Sequence, residues 1–452
     1  MTARSLQRSL ALAATTLLTL AAVGVAPAAA TDDIPGDQPL PGYVIVNPPL
    51  PPVLVGGVPS QILQGVHEHA AYIVEVPPQW NGELVMWAHG YRGQGTVLTA
   101  ETPAFGLRQR LLDQGYAWAA SSYYDNGFDI EAGVLSTKAL AELFADRVGR
   151  PGRTYLAGVS MGGYITGRSV EQYPALYDGA LPMCGVLGDQ TLLDFFLSYN
   201  LVAQALTGVS AYPPPANYLS AVVPQMQAAL GIGSITPLSP EPTTERGRQL
   251  RDITVNLTGG TRPGTAAAFA AWKDFLFSIA VPTSTGTQPS QTPGQLSTNV
   301  GTVYEPNSPV DVNATVLRVE PQNEQQRRLP TLTQVPHIAG LPHVPVLSVH
   351  GLGDMFVPFS MEQAYATDVA GHGESRQVVQ RAIRTTQHCE FSPAEAGAAW
   401  DDLVHWVRDG VRPGGDDVLD PAAVAAADFG CRFSDRAAYA AGTGTRRLYG
   451  PC

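Results

Sequence analysis

The chain has 452 residues, with 39 acidic against 27 basic side chains and a formal charge of −12 at pH 7. That balance excludes nucleic acid and anionic membrane as partners, because both select a basic surface. The length exceeds one simple core, so one large domain with an insertion, or two domains, is expected. Only Lys138 and Lys273 are lysines, which reflects a GC-rich genome and has no bearing on mechanism.

The first thirty residues read as a secretory signal. Arg4 and Arg8 form a positive start, Leu10 to Val25 is apolar, and Ala28, Ala29 and Ala30 supply small residues for cleavage, placing the mature start at Thr31. Loss of the two arginines takes the charge from −12 to about −14. The apolar run is short for a span, so the expectation is an extracellular bacterial protein with no stable membrane anchor. Four cysteines, Cys184, Cys389, Cys431 and Cys452, are an even number in an exported chain, and two disulfides are expected. No close Cys-x-x-Cys spacing exists, so no metal site is expected.

Residues 31–69, rich in proline and glycine from Asp32 to Gln61, predict an extended arm over the surface. Residues 70–188 predict the first part of a core. Ala71 to Val76 alternates, and Leu84 to Ala88 is a nearly continuous apolar run ending at His89-Gly90-Tyr91-Arg92-Gly93. A helix Ala104 to Gln114, a strand Ala117 to Ser121, a helix Ser136 to Val148 and a strand Thr154 to Ala157 follow. A helix over Tyr164 to Pro174 and a strand Gly179 to Met183 complete this part. Such alternation predicts an α/β fold, a mostly parallel sheet with helices on both faces and active groups at the carboxyl ends of the strands.

Residues 189–340 read as an inserted cap. Helices are expected at Leu192 to Leu206, Tyr218 to Leu230, Arg246 to Leu257 and Ala266 to Ile279, then a polar run Pro282 to Gly301 and strand-like pieces over Val310 to Arg318. The core resumes over 341–410 with a strand Val344 to Val349, a helix Ser360 to Val369 and a strand Gln377 to Ile383. The last regular element is a helix Pro393 to Asp409, with Ala396, Trp400, Leu403, Val404 and Val407 as its stripe and Trp406 on the flank. The tail 411–452 is expected to be closed by Cys431 and Cys452.

Gly158-Val159-Ser160-Met161-Gly162 joins the apolar strand to the following helix. A hydroxyl becomes a useful nucleophile when a strained turn lifts it clear of the backbone beside a base, and glycines two residues either side permit that turn. The bland alternative is an ordinary serine in a tight turn, which the strand–turn–helix context disfavours. His388 is the expected base, in a loop after the last strand, and Asp354, in the glycine-rich turn after Val344 to Val349, the orienting acid. His350 is the rival base and reads instead as a residue holding the acid loop; Glu390 is a weaker alternative acid. Oxyanion donors are expected from the amides of Met161 and Tyr91. His89 reads as packing or bonding beneath the Gly90 loop. Tyr123 and Tyr124 end another strand and are candidates for the substrate pocket; Arg92 is a candidate for meeting a substrate carboxylate there but reads first as an exposed loop arginine. The strand ending at Cys184 and the loop of Cys389 share one sheet edge, which favours a Cys184–Cys389 bridge among the three possible pairings.

With the elbow, His89-Gly90-Tyr91, Asp354 and His388 in this order, the chain resembles the α/β-hydrolase superfamily over about Ala71 to Gly188 and Val344 to Gly410. The resemblance implies Ser160 as nucleophile, Asp354 as acid, His388 as base, and Met161 with Tyr91 as oxyanion donors. His388-Cys389 is similar to the pair found in tannase and feruloyl esterase-like enzymes, in which the partner cysteine adjoins the serine; here Val159 stands at that position. The Ser160-Met161 elbow looks more like that of esterases and lipases than that of prolyl oligopeptidase relatives. The expected function is a secreted serine hydrolase acting on small or polymeric carboxylic esters through an acyl-enzyme, without a cofactor. A secreted serine peptidase or aminopeptidase is the first alternative, and a catalytically silent binding protein the second. Nothing in the sequence marks an oligomeric state.

Overall fold

The computed structural model describes residues 35–280, 296–329 and 331–452. The leader, the cleavage point before Thr31 and most of the polar run 282–301 lie outside the described residues.

Eight strands form one sheet: β1 (Gln61–His67), β2 (Ala70–Val76), β3 (Glu83–Ala88), β4 (Ala117–Ser121), β5 (Arg153–Val159), β6 (Gly179–Met183), β7 (Val346–Gly351) and β8 (Val378–Ile383). Their order across the sheet is β1-β2-β4-β3-β5-β6-β7-β8. The pairs β1/β2 and β2/β4 are antiparallel and every later pair is parallel. This is the α/β-hydrolase fold. Residues of β3 through β8 are almost all buried because helices cover both faces, which is why Leu84 to Ala88 and Gly179 to Met183 read as nearly continuous apolar runs.

Helices α1 (Leu107–Asp113), α2 (Ile130–Arg147) and α3 (Met161–Gln172) connect β3 to β4, β4 to β5 and β5 to β6. Alternation along β3 divides the core: Leu84, Met86 and Ala88 face α2 and α3 with Ile165, Leu140 and Phe144, while Val85 and Trp87 face α1 with Leu107 and Leu111. On that second face Trp400 stands edge-on to Tyr116 and Tyr155 at 5.1 and 5.2 Å. Helix α2 begins six residues before the expected start at Ser136, because Asp129 caps it by accepting from the amide of Ala132 at 2.8 Å.

Between β6 and β7 the chain leaves the sheet. It forms α4 (Thr191–Thr207), α5 (Val223–Leu230), α6 (Glu245–Leu257) and α7 (Thr265–Ser278), which share their own core of Leu201, Tyr218, Leu250, Phe269 and Phe277. Met355, next to Asp354, is buried in that same core. Helices α8 (Ser360–Gly371) and α9 (Pro393–Asp409) follow, the latter opened by a capping box between Ser392 and Glu395.

Three expectations are corrected. Gln61–His67 is not part of an arm but the edge strand of the sheet, paired with Ala70–Val76. Val310 to Arg318 holds a helical turn, Val312–Thr315, and no strand: Asp311 caps it at the amide of Ala314, and this local bond outweighs the β-branched composition. Helix α9 is not the last regular element, since Pro421–Ala425, Arg436–Ala440 and a 3₁₀ turn Gly444–Leu448 follow. Both expected disulfides are present, Cys184–Cys389 and Cys431–Cys452. Among the described residues no helix is long and apolar enough to cross a membrane.

Glu75 on β2 is a fully buried carboxylate whose charge is matched by Arg108 at 2.7 and 3.0 Å, Trp118 Nε1 at 2.9 Å and Ser60 Oγ at 2.5 Å. Removing the cation strands the carboxylate, so Arg108→Met is expected to cost about 3 kcal/mol. Urea unfolding of the two proteins at neutral pH measures it; an unmoved midpoint would show that Arg108 is dispensable to the buried acid.

Candidate active site

Ser160 sits between β5 and α3 with φ 57° and ψ −121°. No side chain tolerates this region easily, so the surroundings must impose it. Backbone approach does so: a Cβ at Gly158 would lie 2.2 Å from the carbonyl oxygen of Gly162, and one at Gly162 would lie 2.0 Å from that of Ala88. The two flanking glycines are therefore required by contact with the main chain as well as by turn geometry. The amide of Ser160 donates to the carbonyl of Met183 at 3.0 Å, tying the turn to β6.

The hydroxyl of Ser160 donates to His388 Nε2 at 2.7 Å, and His388 Nδ1 donates to Asp354 Oδ2 at 2.6 Å. Asp354 is fully buried, and its other oxygen accepts from the amides of Phe356 at 2.9 Å and Val357 at 3.1 Å. These amides supply the partners that a carboxylate withdrawn from water needs. Ser160, His388 and Asp354 thus stand in one hydrogen-bonded line.

His350 is placed behind this line. Its Nε2 meets the carbonyl of Val357 at 2.8 Å and its Nδ1 meets Glu362 at 3.2 Å, so it braces the turn that carries Asp354. Burial opposes its charge, but the hydrogen bond and the charge of Glu362 outweigh burial and hold its pKa above the ordinary value. Glu362 itself is buried and accepts from Ser348 and Gln380, a support that no local pattern announced.

The loop of His388 is fastened from three directions. Cys389 is bonded to Cys184 at the end of β6, with its Sγ 3.4 Å from His388 Nε2. Cys184, His388 and Cys389 have the closeness of a metal cluster, but both sulfurs are committed to the disulfide. The C-terminal tail supplies Thr445, whose Oγ1 accepts from the amide of Thr386 at 2.7 Å, and Tyr449, whose hydroxyl donates to the carbonyl of Thr385 at 2.7 Å. The insertion supplies Trp272, whose Nε1 donates to the carbonyl of Thr386 at 2.8 Å. Glu390 accepts from the amide of Thr445 and does not face His388 Nδ1.

The loop after β3 closes over the elbow. A Cβ at Gly90 would lie 3.1 Å from Ser160 Cβ, so only glycine leaves the loop this close to the serine. Tyr91 follows it, half-buried. Met161 opens α3, where its amide has no carbonyl of its own helix to meet. The three pocket candidates have these surroundings. Tyr123 is buried and braces the Gly90 loop, stacking on His89 at 4.1 Å and donating its hydroxyl to the carbonyl of His89 at 3.0 Å. Arg92 is paired with Glu101. Tyr124 lines a cavity of about 550 Å³ with His67, Lys138 and Tyr173, and neither Ser160 nor His388 belongs to that lining.

The profile of the tannase-like family of unknown function (DUF6351) matches residues 61–301, more than half of the chain. The chain belongs to this family. The tannase-like match contains Ser160 and Cys184, while Asp354, His388 and Cys389 lie beyond it. A stretch of 77 residues is 30% identical to an o-phthalyl amidase of Xanthobacter agilis, and the match spans only 17% of the length of either protein. Among solved structures, the chain is similar to feruloyl esterase B of Aspergillus oryzae, with 14% identity, 78% of this chain and 82% of that chain covered and a TM-score of 0.39. It is also similar to the proline iminopeptidase of Mycobacterium smegmatis, with 11% identity, coverage of 78% and 100% and a TM-score of 0.38.

Burial lowers the pKa of His89 from 6.5 to about 4. Its folded value lies below its unfolded one, so the stability it contributes is complete above pH 6.5 and is lost as pH falls towards 4, where the unfolded chain binds the extra proton. His89→Phe keeps a ring against Tyr123 and removes the titration. The loss of unfolding free energy between pH 7 and pH 4 should shrink by up to about 3 kcal/mol in the variant. Parallel stability–pH curves for the two proteins would contradict this.

Proposed function

We propose that this protein is a secreted serine hydrolase that cleaves carboxylic esters through an acyl-enzyme on Ser160. The observation that carries the reading is the line Ser160 Oγ–His388 Nε2–Asp354, closed by bonds of 2.7 and 2.6 Å. His388 takes the proton of Ser160 as Oγ attacks the acyl carbon, and Asp354 holds the imidazole in the required tautomer and stabilises its charge. The amides of Met161 and Tyr91 bind the developing oxyanion. His388 returns the proton to the leaving oxygen, the acyl carbon–oxygen bond breaks, and water opens the acyl-enzyme by the same steps in reverse roles. Residues 189–340 act as the cap over this site and decide which esters enter. Export is supported by the leader-like start and by two disulfides, which persist in an oxidising compartment.

A serine peptidase or amidase is the second reading, favoured by the short match to o-phthalyl amidase, since amide and ester cleavage use the same groups. Turnover of p-nitrophenyl esters of rising acyl length, measured beside aminoacyl p-nitroanilides, separates the two. Ester hydrolysis is expected, lost in Ser160→Ala, with Asp354→Asn lowering kcat by about 10³ to 10⁴ while the fold is kept. Anilide cleavage alone would make the protein a peptidase. Ester turnover that survives Ser160→Ala would remove Ser160 from the mechanism.

A further inference from the structure

The ring of Phe356 lies 4.9 Å from the ring of His388, tilted by 57°. Its amide donates to Asp354, so acid, base and this ring are held as one unit. Around Phe356 stand Phe275 at 4.6 Å, Phe196 at 6.2 Å and Trp272 at 6.5 Å. Phe196 comes from α4, and Trp272 and Phe275 come from α7, which reaches the base loop through the bond from Trp272 to Thr386. All four rings are half-buried, whereas Phe269 and Phe277 on the same insertion are fully buried. Phe196, Trp272 and Phe275 thus pack against the core of the insertion and still keep part of their ring surface beside Phe356.

Position decides which part of a substrate meets them. His388 delivers the proton to the departing oxygen, so the group attached to that oxygen must lie against the base. The expected oxyanion donors belong to the Gly90-Tyr91 loop and to Met161, segments that carry none of the four rings. Ring pairs here are stacked, tilted and edge-on at 6.2, 6.5 and 4.6 Å, arrangements that a further aromatic ring joins favourably. The four rings offer no ionic partner, so an anionic leaving group would lose its hydration against them without compensation.

Resting on the serine hydrolase reading, we infer that Phe196, Trp272, Phe275 and Phe356 form the leaving-group subsite and that the preferred leaving group is an aromatic alcohol without negative charge. As the Ser160 Oγ–acyl carbon bond forms, the acyl carbon–alkoxy bond breaks, and the proton held on His388 Nε2 passes to the aryl or arylmethyl alkoxide, which leaves as the alcohol.

Phe275→Ala tests this, since Phe275 touches Phe356 and lies outside the catalytic line. Benzyl butyrate, methyl butyrate and methyl phenylacetate place the ring on the leaving side, on neither side and on the acyl side. The variant should lose about tenfold or more in kcat/KM for benzyl butyrate and stay within about twofold for the other two. An equal loss on all three, no loss, or a loss confined to methyl phenylacetate overturns the assignment. Should methyl butyrate turnover vanish through misfolding, Phe196→Ala is read by the same ratios. Saturation-transfer NMR of benzyl alcohol with Ser160→Ala protein adds a readout free of turnover: contact should weaken when Phe275→Ala is added, and unchanged contact counts against the subsite. Failure of the wild type to cleave any of the three esters would instead bring down the hydrolase reading itself, and the subsite with it.

Discussion

The backbone of Ser160 is the constraint on which the rest of this site depends. A serine at φ 57° is unstable in isolation and persists only because Gly158 lets the turn close on itself at Gly162, and Gly162 lets the end of β3 pack against it. The carbonyl of Ala88 fills the space that a Cβ at Gly162 would need, so the end of β3 and the start of α3 are locked together. The same close packing brings Gly90 onto Ser160 and sets the loop of Tyr91 beside the hydroxyl. Strain at one residue is thus sustained by contacts that also assemble its neighbours.

His388 and Asp354 reach Ser160 from far along the chain, 228 and 194 residues away, and neither stands on a regular element. Each loop is accordingly over-supported. His350 and Glu362 hold the turn of Asp354 from beneath, and Met355 anchors it in the core of the insertion. The loop of His388 is held by Cys184, by Thr445 and Tyr449 of the tail, and by Trp272 of the insertion. Loops that place reacting groups need such ties, because an error of about 1 Å in their position is costly to the rate.

Much of the architecture was legible in the sequence because the physics is local. Strands buried on both faces, such as Leu84 to Ala88 and Gly179 to Met183, announce themselves as apolar runs, and the stripe Ala396, Trp400, Leu403, Val404 and Val407 marks α9. The pairing of Cys184 with Cys389 followed from placing both at one sheet edge. Gln61–His67 escaped because an edge strand is only half-buried and its Gln-Gly content resembles the arm before it. Val310 to Arg318 misled because β-branched residues were weighed above the cap that Asp311 supplies. The direction of a loop side chain has no sequence signature, so Tyr123 and Arg92, which end up bracing a loop and pairing with Glu101, could not be told from pocket residues. The support from Thr445, Tyr449 and Glu362 is likewise a product of tertiary contact alone.

The most direct test of the central claim is covalent. Incubation of the folded protein with a fluorophosphonate, followed by digestion and mass spectrometry, should find one adduct, on the peptide containing Ser160. Labelling should be absent in Ser160→Ala and slowed about a hundredfold or more in His388→Ala, because the hydroxyl reacts only when a base takes its proton. A folded protein that gains no adduct, or gains it on another residue, or is labelled at Ser160 equally fast without His388, would contradict the account.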